Sequence, residues 1–277
     1  MSSEPAQLDI GLLGPLTAEL SGTPVTPSAP KQRQVLALLA LNAGRVVTVP
    51  TLIEELWDDH PPRSYASTLQ TYIFQLRNSL DAALPGDSAA RGLLRTQHSG
   101  YLLDGDCRTD VEEFNRLAEA GRAAVEAGDH LAASDKLGRA LRLWRGPALV
   151  DVRLGRILEL ETASLEETRL GILERRIDAD LALGRHGDLL GELRLTVARN
   201  PMNEILSGFL MIALYRSGHV GRSLKVFHQL RAVLKDELGV EPCPRMQRLH
   251  MAILSGDPSL ESPSWPTTQL HADLFSA

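Results

Sequence analysis

The chain has 277 residues, enough for two domains of ordinary size, and its 43% hydrophobic content supports real cores and excludes bulk disorder. Aromatics make up only 4%, which points to the aliphatic and alanine-lined packing of closely stacked helices. A net charge of −6 excludes a purely electrostatic coat on nucleic acid, yet it leaves room for a small reading element, because potentials are screened beyond roughly 10 Å.

Leu8 to Leu13 and Leu16 to Leu20 are short apolar runs split by Gly14-Pro15, with a second break at Ser21-Gly22-Thr23-Pro24. Glycine and proline as punctuation predict strand, turn, strand. Pro30 opens a helix where its missing N–H costs least, with Val35, Leu38 and Leu39 inward and a stop at Gly44. Arg45 to Val49 is a short extended link. Pro50 starts a second helix whose apolar face is Leu52, Ile53, Leu56 and Trp57, and Asp58-Asp59-His60-Pro61-Pro62 cannot continue it.

The third helix, over 63–84, organises the rest. Leu69, Tyr72, Ile73, Leu76 and Leu80 are spaced three, four or seven apart and share one face. The opposite face collects Ser67, Thr71, Phe74, Gln75 and Asn78, with Arg77 on the flank and no carboxylate before Asp81. Hydroxyl, amide and guanidinium groups without negative charge suit the floor of a DNA major groove; an unusual solvated face is the competing reading. After Pro85-Gly86-Asp87 and a polar loop, Leu93 to Thr96 and Tyr101 to Leu103 flank Gln97-His98-Ser99-Gly100 and predict a β-hairpin.

Strands, three helices and a closing hairpin describe a winged helix-turn-helix. The segments APKQRQVLALLALNAGRVVTVPTLIEELW, PPRSYASTLQTYIFQLRNSL and LLRTQHSGYLL resemble the Streptomyces antibiotic regulatory protein family over about the first 105 residues. Those proteins are pathway-specific activators with an OmpR-like DNA-binding domain.

Residues 104–110 read as a linker to an almost wholly helical remainder. Phe114, Leu117, Ala118, Gly121 and Val125 form one stripe, and Ala133, Leu137, Ala140, Leu141 and Trp144 the next, after a Gly128-Asp129 break. RGPALVDVR interrupts, then a long helix runs from near Ile157 to about Leu183. Gly184-Arg185-His186 and Gly218-His219-Val220 repeat at 34 residues, with Leu190 mapping onto Leu224 and Leu193 onto Phe227. That period marks tetratricopeptide-like stacking. The region, including LWRGPALVDV, also resembles the bacterial transcriptional activation domain of the same family. The expected organisation is mainly α with small β: a winged helix-turn-helix over 1–105, an all-α tetratricopeptide-like domain over 106–255, and a flexible tail over 256–277.

Alignment of IFQLRNSL with OmpR-like helices implies that Thr68, Thr71, Tyr72, Gln75 and Arg77 meet bases or phosphates. Relatives often carry Arg at the positions of Phe74 and Gln75, so the resemblance implies weaker salt dependence here. Gln75 is suited to a bidentate pair with adenine and Phe74 to a thymine methyl; Phe74 packed on the wing or on a neighbouring protomer is the alternative. Ser67 and Asn78 complete the reading face, and Arg63 at the helix start is the candidate phosphate anchor. In the wing, formed by Arg95, Thr96, Gln97, His98 and Tyr101, the resemblance implies phosphate contact by Thr96 and groove insertion by Gln97 or His98. Tyr101 reads as core. Lys31 and Arg33 read as solvated charges, with DNA-backbone contact as the alternative. In the family, the turn carrying Asp58, Asp59 and His60 faces RNA polymerase, so these side chains meet the sigma factor or are simply solvated.

Cys107 and Cys243 sit in no paired motif, so neither a Cys-rich metal site nor a disulfide framework is expected. GxxxxGK[ST], GxSxG, HExxH and CxxC are all missing, and the expectation is a non-enzyme without cofactor or metal. MSSEPAQLDI lacks the pattern of a secretory signal, and the longest apolar run, Val35 to Leu41, is too short to cross a bilayer. A cytoplasmic protein with no membrane contact follows. The expected function is a sequence-specific activator of an antibiotic gene cluster, bound as a homodimer to direct repeats in double-stranded DNA and recruiting RNA polymerase. The alternative is a helical-repeat interaction protein or ligand-sensing regulator whose winged helix does not read DNA.

Overall fold

The structure is a computed structural model that describes residues 7–84, 92–104 and 107–262. It is mainly helical with a small β component, as the sequence leads one to expect. The chain divides into two compact units, residues 1–118 with 139–170 and residues 119–138 with 171–277.

In the first unit, β1 (Leu8–Gly11) pairs antiparallel with β2 (Thr17–Leu20), which carries the short β3 (Thr23–Pro24) on its other edge. Leu8, Ile10, Ala18 and Leu20 alternate inward and Asp9, Thr17 and Glu19 outward, the period of a half-buried sheet. Helices α1 (Pro30–Leu41), α2 (Val49–Trp57) and α3 (Tyr65–Ala83) pack with it around a common core. The link after α1 contains β4 (Val46–Thr48), which joins the hairpin β5 (Leu94–Gln97) and β6 (Gly100–Leu103) in a sheet ordered β4-β6-β5. Gly100 is required where β4 and β6 approach: a Cβ there would lie 2.3 Å from the Val47 carbonyl oxygen. The polar loop expected after Pro85 lies outside the described residues up to Arg91.

The expected linker over 104–110 is instead largely structured. Cys107–Thr109 forms β7, which pairs parallel with β1, Leu8 opposite Cys107 and Ile10 opposite Thr109. Backbone pairing to an open sheet edge overrides the polar composition that made the segment look like a spacer. Thr109 and Glu112 then close a capping box over the start of α4 (Asp110–Glu126), each side chain accepting from the other's backbone N–H.

The rest of this unit comes from the end of α5 (His130–Arg142), the first part of α6 (Arg156–Ala182) and the loop between them. That loop, 143–155, is built onto the first sheet. The Arg145 N–H donates to Leu13 O at 2.8 Å and the Leu149 N–H to Leu12 O at 3.1 Å, while Leu149, at φ 51°, is 1% exposed. Three carboxylates, Glu55 buried, Asp110 half-buried and Asp151 exposed, secure the arrangement. Asp110 accepts the N–H groups of Leu12 and Leu13 and pairs with Arg145. Asp151 accepts the Leu16 N–H and pairs with Arg33. Glu55 of α2 accepts the N–H groups of Gly155, Ile157 and Leu158.

In the second unit, α7 (His186–Arg199), α8 (Glu204–Arg216), α9 (Val220–Leu238) and α10 (Pro244–Ser255) follow one another in antiparallel fashion. Every residue from Leu206 to Leu214 is buried, so α8 has no solvent face and is central to the stack. The 34-residue repeat is visible in its turns. Gly184 and Gly218 have φ of 76° and 75°; Arg185 N–H donates to Asp180 O, and His219 N–H to Leu214 O. The same six-to-one closure recurs at Asp129 on Ala124 and at Asp257 on Ala252. The 34-residue register also holds inside the helices, where each of the two expected pairs has matching burial. Leu193 and Phe227 are equivalent and buried, whereas Leu190 and Leu224 are only half-buried and their neighbours Leu189 and Ser223 take the inner position. Ser223 fits there because its small hydroxyl donates to Met211 O at 2.8 Å and lets the two backbones approach.

The start of the expected tail is also ordered. Pro258–Glu261 forms a 3-10 turn, Leu260 is 1% exposed, and Arg216 donates to Leu260 O and Ser262 O. A buried leucine and a bidentate guanidinium outweigh the prolines that made the segment look loose. The remainder of the expected tail lies outside the described residues.

Candidate nucleic-acid interface

Helix α3 is held from below and shown from above. Leu69, Ile73, Leu76 and Leu80 are buried, as their spacing requires. Tyr72 is half-buried and stacks on Trp57 with ring centroids 6.5 Å apart, bracing α3 against α2. The turn between those helices begins at Asp58, at φ 53°, and continues through His60, whose N–H donates to Trp57 O. Asp58, Asp59, His60 and Arg63 are all exposed along it.

Ser67, Gln70, Thr71, Phe74, Gln75 and Asn78 form the exposed face, and Phe74 is 62% exposed. Ser67 and Thr71 donate their hydroxyl protons to the carbonyls of Ser64 and Ser67, leaving oxygen lone pairs outward, and Thr68 sits half-buried beside Ser64. Gln75 Oε1 accepts from Gln32 Nε2 of α1.

Two residues that the sequence places side by side on DNA are engaged with each other. Arg77 donates through Nε to Leu94 O at 2.9 Å and through a terminal nitrogen to Thr96 Oγ1 at 2.9 Å, so a half-buried guanidinium ties α3 to the wing. Arg95 pairs with Asp104 at 3.0 Å and donates to Gly92 O. Gln97, His98 and Ser99 are exposed at the hairpin tip, with His98 at φ 48°. Tyr101 is 8% exposed and belongs to the core, as read from the sequence.

Lys31 and Arg33 are neither solvated nor turned toward this face. Lys31 Nζ donates to Leu56 O and Gln34 Oε1, and burial lowers its pKa, with Arg153 adding to the effect and Glu55 opposing it. Arg33 meets Asp151, Pro27 O and Leu16 O. Both charges were drawn inward by acceptors far along the chain, which a linear reading does not see. Glu55 was missed as well, although it left a signal: it lies three residues after Leu52, on the inward stripe of α2, where a carboxylate needs a reason.

A braced helix with an open polar face beside a β-hairpin is the arrangement of a winged helix-turn-helix transcription regulator, here joined to a helical-repeat domain. Residues 22–103 match the family described as "Transcriptional regulatory protein, C terminal", and residues 109–254 match the "Bacterial transcriptional activator domain". The chain is 51% identical over 257 residues to the Regulatory protein DnrI of Streptomyces peucetius, covering 92% of this chain and 94% of that protein. It is 38% identical over 259 residues to the Transcriptional regulator RedD of Streptomyces coelicolor, covering 93% and 73%. The solved structure of Mycobacterium tuberculosis EmbR in complex with a low-affinity phosphopeptide superposes with a TM-score of 0.84 at 33% identity, over 96% of this chain and 71% of that one. The chain belongs to the Streptomyces antibiotic regulatory protein family.

Proposed function

We propose that the chain is a sequence-specific activator that binds direct repeats near a promoter of a secondary-metabolite gene cluster and recruits RNA polymerase there. The observation that carries this reading is the carboxylate-free, exposed face of α3 set beside the wing. Gln75 exchanges its bond to Gln32 for a bidentate pair with adenine, Phe74 packs on a thymine methyl, and the outward oxygens of Ser67 and Thr71 with the amide of Asn78 meet base edges. Thr68 and the edge of Tyr72 line the groove wall. Arg63 anchors a phosphate at the helix start, and Gln97 and His98 reach the flanking backbone or minor groove from the wing tip. Arg77 and Thr96 set the wing's position relative to α3, and Arg95 braces the hairpin through Gly92 O and Asp104.

Two protomers side by side on repeats about one helical turn apart, roughly 10 bp, present both reading helices on one face of the duplex. Asp58 and Asp59 then stand on the exposed α2–α3 turn, away from the buried stripe, and offer acidic groups to a basic sigma-factor surface, with His60 as a hydrogen-bonding neighbour. Footprinting of the full chain on promoters of its neighbouring gene cluster tests the reading. Protection of paired direct repeats, with affinity falling as salt rises, though less steeply than with arginines at the positions of Phe74 and Gln75, is expected, because phosphate contacts release counterions. Protection without repeat structure, or an affinity indifferent to salt, refutes it.

A further inference from the structure

The second unit contains a cavity of about 620 Å³ between α7, α8 and α9. Its floor is apolar, from Leu210 and Leu214 of α8 and Val226 and Leu230 of α9, all buried. Its rim is cationic: Arg194 of α7 and Arg222 and Lys225 of α9 line it, and no carboxylate does. Among the described residues the side chains of these three cations have neither an ion pair nor a hydrogen bond. Arg176, Arg185 and Arg231 of the same unit are by contrast paired, on Asp180 and Glu192, on Asp180, and on Glu241. Three unpaired cations around one apolar trench with no carboxylate in its lining, in a chain of net charge −6, are a local concentration of positive potential.

A second, independent observation comes from the floor. Ser207, 1% exposed, lines the cavity, and its Oγ has no hydrogen-bond partner. The buried hydroxyl of Ser223 is satisfied by Met211 O, whereas that of Ser207, in the cavity lining, is a polar group left without an acceptor or donor. We propose that this cavity binds a small amphipathic organic acid, its hydrocarbon body on the Leu210–Leu230 floor and its carboxylate at Arg194, Arg222 and Lys225. The volume is that of a small-molecule site, and a few polar groups on an apolar lining are what such sites use to orient a ligand. An extended acidic peptide would match the rim but leave the apolar floor unfilled.

The test is fluorescence titration of the full chain with dansylaminoundecanoate and, separately, with its uncharged methyl ester. The acid is expected to bind saturably at one site per chain and the ester roughly tenfold more weakly, the loss of a charge-assisted contact. Arg222→Glu combined with Lys225→Glu changes only exposed side chains; it should weaken the acid by roughly tenfold or more, leave the ester unchanged and leave operator binding intact. Ser207→Leu, which fills the floor, should abolish both, and the charge-reversal variant decides the matter should the leucine prevent folding. No saturable binding of the acid, equal binding of acid and ester, or wild-type binding by the reversal variant overturns the proposal. Displacement of the dansyl acid by a Glu-rich peptide at lower concentration than by undecanoate also overturns it and assigns the groove to a peptide.

Discussion

Removal of the Glu55 carboxylate should loosen the first unit while leaving the composition of the reading face untouched. Glu55 is 2% exposed; Oε1 accepts Gly155 N–H at 2.6 Å and Gln34 Nε2 at 2.7 Å, and Oε2 accepts Ile157 N–H and Leu158 N–H at 3.0 Å each. The last two are orphan donors in the first turn of α6, so a side chain of α2 acts as that helix's cap and meets the positive end of its dipole. Hydrogen bonds to a charged group are worth about 1.5–3 kcal/mol each, but four on one carboxylate are not additive. Breaking a buried charged network from one side costs on the order of 3–5 kcal/mol. Glu55→Ala should therefore lose about 4 kcal/mol, roughly 10 °C in melting temperature for a chain of this size. Glu55→Gln keeps the shape and one acceptor but sets an NH₂ against backbone donors, so it should lose about half as much. Urea unfolding followed by tryptophan fluorescence measures both, since Trp57 and Trp144 lie in the same unit. Hydrogen exchange at the amides of Ile157 and Leu158 should accelerate in step. A loss below about 1 kcal/mol in the alanine variant, with those amides still protected, would mean that the three N–H groups have other acceptors and that the carboxylate is not the cap.

Arg77→Ala should weaken binding to all DNA sequences alike, because it frees the wing from α3, and should cost about 1 kcal/mol of stability; a change confined to one base position in a binding-site selection would contradict the wing-anchor role. Gln75→Ala should relax discrimination at one base pair by about 1–3 kcal/mol in competitive binding assays and leave nonspecific affinity alone. Asp58→Ala with Asp59→Ala should preserve operator affinity and reduce run-off transcription; loss of both together would remove the case for a polymerase contact. Burial raises the Glu174 pKa, against the opposing hydrogen bond from Asn203 and the charge of Arg175. A carboxyl raised in the folded state favours folding when protonated, so its contribution is present below the unfolded value and lost as pH rises through the folded one. Glu174→Gln keeps an acceptor for Asn203 at the cap of α8 and should raise the unfolding midpoint at pH 7 relative to pH 4; a midpoint that falls at pH 7 but not at pH 4 would show that the ionised form is needed.

Periodicity made the helical skeleton legible. The stripe of α3, the two repeat turns at Gly184 and Gly218, and the core position of Tyr101 follow from spacing and glycine placement alone, because they depend on interactions within a few residues. The exposed face of α3 was legible for the same reason: a residue off the apolar stripe has nowhere to point but outward. What the linear chain left open were contacts between distant segments. Lys31 and Arg33 look like free charges until Leu56 O and Asp151 are brought beside them, and Arg77 looks like a phosphate contact until Thr96 arrives from the wing. Residues 107–109 look like a spacer until β1 offers them an edge. Local pattern determines which groups are inward, but a charged or polar group takes its role from whichever acceptor the tertiary fold delivers, and that partner lies up to 118 residues away for Arg33.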